Sequence, residues 1–186
     1  MTFRGLAVAA IIGAALASVG VPALARPAAA QDKARVEVAF TPGDDIAGLI
    51  VDRIERAKST VQVQAYLFTD RRIANALLAA RKRGVEVEVI GDAAQQQAGG
   101  LPHLKALDRA GVRVFLNGTL AASHNKIVIV DGARPEATVV TGSYNFTQAA
   151  QAKNAENVVV LSGNRRVTDR FVENFETHRR QSTPWP

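Results

Sequence analysis

The stretch SHNKIVIVDG, running from Ser123 to Gly132, sets a histidine and a lysine at the head of a segment that otherwise reads as buried core. Side chains alternate across a strand, which puts His124, Lys126, Val128 and Val130 on one face and Ile127 and Ile129 on the other. Both faces are apolar farther along, so the segment is expected to be an interior strand of a sheet covered on both sides. An unpaired ammonium buried there would be costly. A lone histidine in such a place is ordinarily structural. The lysine two residues away weakens that account, because two potential cations repel unless an anion lies between them. The pair reads as a seat for an anion.

Outward from this strand, the chain alternates between two periods. ARVEVAF (34–40), TVQVQAYLF (60–68), VEVEVIG (85–91), VRVFL (112–116) and NVVVLS (157–162) read as strands by alternation and β-branching. Between them, Ile46, Leu49, Ile50, Ile54 and Ala57 recur at helical spacing. So do Ile73, Leu77 and Ala80, in a helix that Asp70 should cap and Gly84 should end. The Arg81-Lys82-Arg83 run falls in the last turn of that helix, where cations complement the dipole, and needs no nucleic-acid role. DAAQQQAGG (92–100) reads as a flexible loop, and 101–110 as a helix. KIVIVD (126–131) and EATVVTG (136–142) form a hairpin across a turn at Gly132 to Pro135. A last helix carries Val167, Phe171, Val172 and Phe175 on one face. The pattern predicts an α/β fold: a layered α/β/α sandwich around a mixed, mostly buried β-sheet, in one domain spanning 31–186.

A second polar cluster lies downstream. In TGSYNFT, Gly142 is expected to let the backbone approach a ligand closely, while Ser143 and Asn145, two apart, can offer a hydroxyl and an amide to the same place. Glu156, next to Asn154 and Asn157, stands just before the last strand, where a carboxylate could hold an imidazole in one tautomer.

His124-x-Lys126-x4-Asp131 followed by Gly142-Ser143-x-Asn145 resembles the signature of the phospholipase D superfamily. AYLFT, AARKRGVEVEV, GSYNFTQAA and KNAEN are similar to the short bacterial nonspecific endonucleases of that superfamily, over roughly 36 to 176. One departure is visible: the interval from Asp131 to Gly142 is longer than the common pattern, and GARPEA accounts for it as a widened turn. The resemblance implies that His124 is the nucleophile on a phosphodiester phosphorus and forms a phosphohistidine. It implies that Lys126 and Asn145 bind the non-bridging oxygens, that Ser143 supports this phosphate pocket, and that Glu156 orients His124. Asp131 belongs to the same motif, but its opposite strand parity points to a structural place at the strand end.

That chemistry needs a second, protonated histidine for the leaving oxygen. HLKALD (103–108) has His-x-Lys, but the residue five after Lys105 is Ala110 rather than Asp, no Gly-Ser-x-Asn follows, and it falls in a helical segment; His178 has no partner motif. The second His124 must come from another chain, implying a homodimer with a composite site. Nucleic acid, DNA and also RNA, is the expected substrate; a phospholipase or cardiolipin-type hydrolase is the alternative, and a non-catalytic DNA-binding or transfer accessory protein the third.

Composition sets the surroundings. Residues 1–30 read as a signal peptide and lead-in, with Arg4, an apolar run from Leu6 to Val21, and cleavage after Ala25 or Ala30. A periplasmic or secreted domain follows, with no stable membrane insertion after cleavage. The whole chain carries 23 Lys+Arg against 17 Asp+Glu, so the exported part keeps a net charge of +5 or +4, suited to polyanions. It has no cysteine, which excludes disulfides and thiolate metal sites. No metal and no cofactor are expected.

Overall fold

The computed structural model describes residues 34–186; the expected signal segment and its cleavage positions lie outside them. The β-branched runs form β1 (Arg35–Thr41), β2 (Thr60–Ala65), β3 (Glu86–Asp92), β4 (Arg113–Asn117), β5 (Lys126–Val130), β6 (Thr138–Gly142) and β7 (Glu156–Ser162), with a two-residue β8 (Thr183–Pro184). They make one sheet in the order β1-β7-β6-β5-β2-β3-β4-β8. The β2, β3 and β4 strands are parallel to one another, while β5, β6, β7 and β1 run antiparallel to their neighbours. The sheet is therefore mixed, as the hairpin in the sequence requires.

Helices cover both faces. The periodic apolar residues of α1 (Ile46–Glu55), α2 (Arg71–Lys82) and α4 (Leu104–Arg109) pack on one side against Val61, Val63, Val87, Val89, Val128 and Val130. On the other side α6 (Arg165–Arg180) lays Phe171, Val172 and Phe175 over Ile90, Ile127, Ile129 and Val139. The parity read from KIVIV is thus reproduced: its valines face the larger cluster and its isoleucines face α6. Asp70 caps α2, accepting from the Arg72 and Ile73 amides at 2.7 and 3.2 Å. The Arg81 and Arg83 side chains donate to neighbouring carbonyls, Gly111 O at 2.8 Å and Ile54 O at 3.1 Å, so these two arginines of the basic run have structural partners.

Three segments differ from expectation. Residues 92–100, expected as a loop, begin with a short helix, α3 (Ala93–Gln97), because Asp92 caps it by accepting from the Gln95 amide at 2.8 Å. A further short helix, α5 (Gln148–Ala152), follows Asn145, capped by Thr147. The second strand stops at Ala65 rather than Phe68: the Tyr66 amide turns to Asn125 O, and Phe68 pairs instead with Phe146.

Candidate active site

The strand order brings the predicted residues to one end of the sheet. Because β5, β6 and β7 are antiparallel neighbours, the start of β5, the end of β6 and the start of β7 coincide. His124 and Lys126 arrive on the first, Ser143 and Asn145 just beyond the second, and Glu156 opens the third. This is also the carboxyl end of the parallel strands β2 to β4, where open α/β sheets present their ligand crevices.

His124 precedes β5 rather than lying within it, and it is exposed. Its neighbours are tied down on both sides. The Ser123 amide donates to buried Asp92 Oδ2 at 2.7 Å, and the Asn125 side chain donates to buried Gln64 Oε1 at 2.7 Å. Asn125 O accepts from the Tyr66 amide at 3.1 Å. An exposed imidazole is thereby held on a backbone with little freedom, the combination a nucleophile requires.

Lys126 is only 6 % exposed. Its Nζ lies 3.1 Å from His124 Nδ1 and donates to His124 O at 2.7 Å. Burial depresses the lysine's pKa below its ordinary 10.5, and the Glu156 carboxylate opposes that shift. A charged Lys126 can only donate to Nδ1, which leaves the imidazole proton on Nε2.

Ser143 and Glu156 are joined directly. The Ser143 hydroxyl donates to Glu156 Oε2 at 2.5 Å and accepts from the Asn157 amide at 3.1 Å. Glu156 Oε1 accepts from Asn154 Nδ2 at 2.9 Å. Glu156, expected on the imidazole, is thus bonded to Ser143 and Asn154, while Nδ1 is met by Lys126. Asn145 is half-buried, and its Oδ1 is buried without a hydrogen-bond partner. Gly142, expected to admit a ligand, is instead pressed against β7: a Cβ there would stand 2.1 Å from Asn157 O and 2.8 Å from Val158 Cα.

Asp131 does not join this group. It follows the far end of β5, five residues from Lys126 and so roughly 16 Å along the strand. Its carboxylate, 7 % exposed, accepts from the Lys58, Ser59 and Thr60 amides and the Ser59 hydroxyl. Burial alone would raise its pKa; these four donors outweigh that and hold it below the ordinary 3.8.

The sequence profile of the cardiolipin synthase, PLD-like domain matches residues 50–179. The chain belongs to the phospholipase D superfamily. A phospholipase D of Rickettsia felis is 33 % identical over 143 residues, 77 % of this chain and 68 % of that one. A mitochondrial cardiolipin hydrolase of Mus musculus is 31 % identical over 120 residues, 64 % of this chain and 52 % of that one. The crystal structure of Nuc, a phospholipase D family member from Salmonella typhimurium, superposes with a TM-score of 0.76 at 30 % identity, covering 82 % of this chain and 99 % of that chain. The phospholipase D-like chain is accordingly a phosphodiesterase, with an α/β fold shared with Nuc.

Other histidines of this phospholipase D-like domain stand apart from His124. His103 directly precedes α4 and its Nε2 meets Thr69 O at 3.1 Å; His178 lies in the last turn of α6. Among the described residues no group of three or more His, Asp or Glu could hold a metal ion, and no helix is long and apolar enough to cross a membrane. The residues that sequence reasoning did not single out are Tyr66, just after β2, whose ring lies 4.3 Å from that of His124, and Asp92 and Gln95, which bond to the Ser123 amide and the Tyr66 phenol. Only the AYLFT segment signalled one of them.

Proposed function

We propose that this chain is an exported, metal-independent endonuclease that cleaves DNA, and RNA as well, through a phosphohistidine formed where two copies meet. The observation that carries the reading is the convergence of exposed His124 and Ser143 with buried Lys126 and half-buried Asn145 at one sheet end, with one such set per chain. In the first step His124 Nε2 attacks phosphorus, the P–N bond forms and the P–O bond to the leaving group breaks. A protonated His124 from the second chain gives its proton to the leaving oxygen. Water then attacks phosphorus, that second imidazole takes the water's proton, and the P–N bond breaks. For Nε2 to attack, the ring proton must sit on Nδ1, so Lys126 releases Nδ1 and turns its ammonium to a phosphate oxygen, leaving Nδ1–H for a carboxylate, Glu156. Asn145 offers its amide to the same phosphate, and Ser143 braces Glu156. Asp131 serves the fold.

The net positive charge suits a polyanionic substrate, and the match to nearly the whole of Nuc suits a single-module enzyme. Val36, Val38 and Phe40, 55–65 % exposed in a row on β1, supply the apolar surface that a subunit interface would cover. A second reading, lipid phosphodiester hydrolysis, is favoured by the names of the Rickettsia felis and Mus musculus relatives. The test is residues 31–186 incubated with supercoiled plasmid, RNA, and phosphatidylcholine or cardiolipin vesicles, each with and without EDTA. Nicking of plasmid in excess EDTA is expected. Release of lipid products alone would establish the second reading, DNA binding without cleavage would leave the accessory role, and loss of activity on chelation, restored by a divalent ion, would sink the metal-independent mechanism.

A further inference from the structure

Tyr66 stands directly after β2, at the position where the chain leaves the sheet beside Lys126, the Cα partner of Ala65. Its ring centroid is 4.3 Å from that of His124, with the planes tilted by 55°. Lys126 Nζ lies 4.8 Å from the same ring centroid, so one aromatic side chain serves both motif residues. The residue is held at its backbone and at its phenol. At one end the Tyr66 amide donates to Asn125 O at 3.1 Å, and at the other the phenol oxygen accepts from Gln95 Nε2 at 2.9 Å. Gln95 is itself placed by Asp92, whose Oδ1 takes the Gln95 amide at 2.8 Å while Oδ2 takes the Ser123 amide at 2.7 Å. Asp92 is 2 % exposed. The contacts close a circuit: Tyr66 to Gln95, to Asp92, to Ser123, to the adjacent His124, and back to the Tyr66 ring.

We infer that Tyr66 is the positioning residue for His124, setting the plane of the imidazole and stabilising the charge it acquires, with Gln95 holding the phenol in place. The inference rests on the reading of His124 as the nucleophile. Two physical terms act through one ring. An imidazole on an exposed loop has free rotation about its side-chain bonds, and a tilted ring beside it removes much of that freedom, so Nε2 stays aimed. When Nε2 bonds to phosphorus the imidazole becomes cationic, and the negative face of an aromatic ring attracts a cation that it did not attract in the neutral state. The second term operates during the chemical step and not in substrate binding. Loss of the ring should therefore lower kcat and leave KM nearly unchanged.

The test compares Tyr66→Phe, Tyr66→Leu and Gln95→Leu in the otherwise intact chain. Hydrolysis of bis(4-nitrophenyl) phosphate supplies kcat and KM. NMR of the protein carrying labelled histidine supplies the position of the His124 ring protons, assigned by His124→Ala among only three histidines. Tyr66→Leu should lower kcat about tenfold or more at nearly constant KM and move the His124 ring protons off their upfield, ring-current-shifted position. Tyr66→Phe, which keeps the face, should retain the shift and most of the turnover. Gln95→Leu should fall between the two, and it carries the test should Tyr66→Leu fail to fold. A leucine variant with unchanged kcat, or a His124 resonance that ignores the loss of the ring, would overturn the inference. If the wild type hydrolyses no phosphodiester, the functional reading fails by itself, and the NMR arm still decides whether Tyr66 orders His124.

Discussion

At Asp131 four donors converge on one carboxylate, three of them backbone amides of Lys58, Ser59 and Thr60 at the start of β2. Asp131 itself adopts φ +54°, so the chain turns sharply as it leaves β5 and ties two strand ends together. Glu156, at the opposite end of the sheet, spends its two oxygens on side chains of the site. The two carboxylates should therefore separate stability from turnover. Asp131→Asn is expected to cost about 2 kcal/mol at neutral pH, since charge-assisted bonds to amides are lost, with turnover per folded molecule unchanged. Its pKa is lower in the folded protein than in the unfolded chain, so the stabilisation is complete above 3.8 and is lost as pH falls through the folded value. The gap in urea midpoint between wild type and Asp131→Asn should narrow in acid. Glu156→Gln should do the reverse, lowering kcat about a hundredfold or more with little change in unfolding. Because Glu156 props up the pKa of Lys126, its neutralisation should also shift the alkaline limb of the pH–rate profile to lower pH. A Glu156→Gln enzyme with wild-type kcat would remove this carboxylate from the mechanism.

Among the elements, the β6–β7 contact is the one on which the site depends most closely. Gly142 pairs with Val158, and Ser143 N donates to Asn157 O at 3.1 Å, so the pocket's serine and glutamate are set by how near these two strands come. The atoms that a Cβ at Gly142 would meet are backbone, which cannot rotate away. Gly142→Ala should cost about 1–3 kcal/mol and should abolish most activity by parting Ser143 from Glu156. Circular dichroism and kcat on the purified variant check it; a stable, fully active alanine variant would mean that the strands have slack. Alternation and β-branched runs showed the strands in the sequence, and the motif residues were visible because they are polar groups at the strand ends. What these local patterns could not show is a contact between elements far apart in the chain. Gly142 reads as a place of close approach, but not what approaches; Glu156 reads as a site carboxylate, but not that Ser143 and Asn154 hold it. Residues 92–100 read as a loop because Gln95 to Gln97 and Gly99-Gly100 leave no apolar period, although Asp92 three residues before Gln95 is a capping signal. Tyr66 reads as the tail of a strand, and its partners Gln95 and His124 are supplied only by the fold.

At the scale of the whole molecule, the sheet is covered unevenly. The α6 helix reaches β4, β5 and β6, and beyond it β1 leaves Val36, Val38 and Phe40 open on the edge of the sheet. That apolar row runs toward the site: Phe40 is the Cα partner of Asn157, and the next residue, Thr41, is the partner of Glu156. A site with one motif histidine, beside an uncovered apolar face, is what a composite dimer site would present in one of its halves. The reaction proposed needs a neutral His124 and a protonated one together, so a dimer with one His124→Ala chain lacks one role or the other. With free exchange, an equal mixture of wild-type and His124→Ala chains holds about a quarter wild-type dimers, and activity should fall to about a quarter of the all-wild-type value rather than half. Across mixing ratios the activity should follow the square of the wild-type fraction, and trapped phosphohistidine should not exceed one per two chains. Val38→Asp, which puts a charge in the middle of the apolar row, opposite Val159 and not on a motif residue, should yield a folded monomer by light scattering with activity lost. A linear dilution curve, after exchange has been confirmed by mass spectrometry of differently labelled chains, would show that each chain works alone and that the row on β1 serves something other than catalysis.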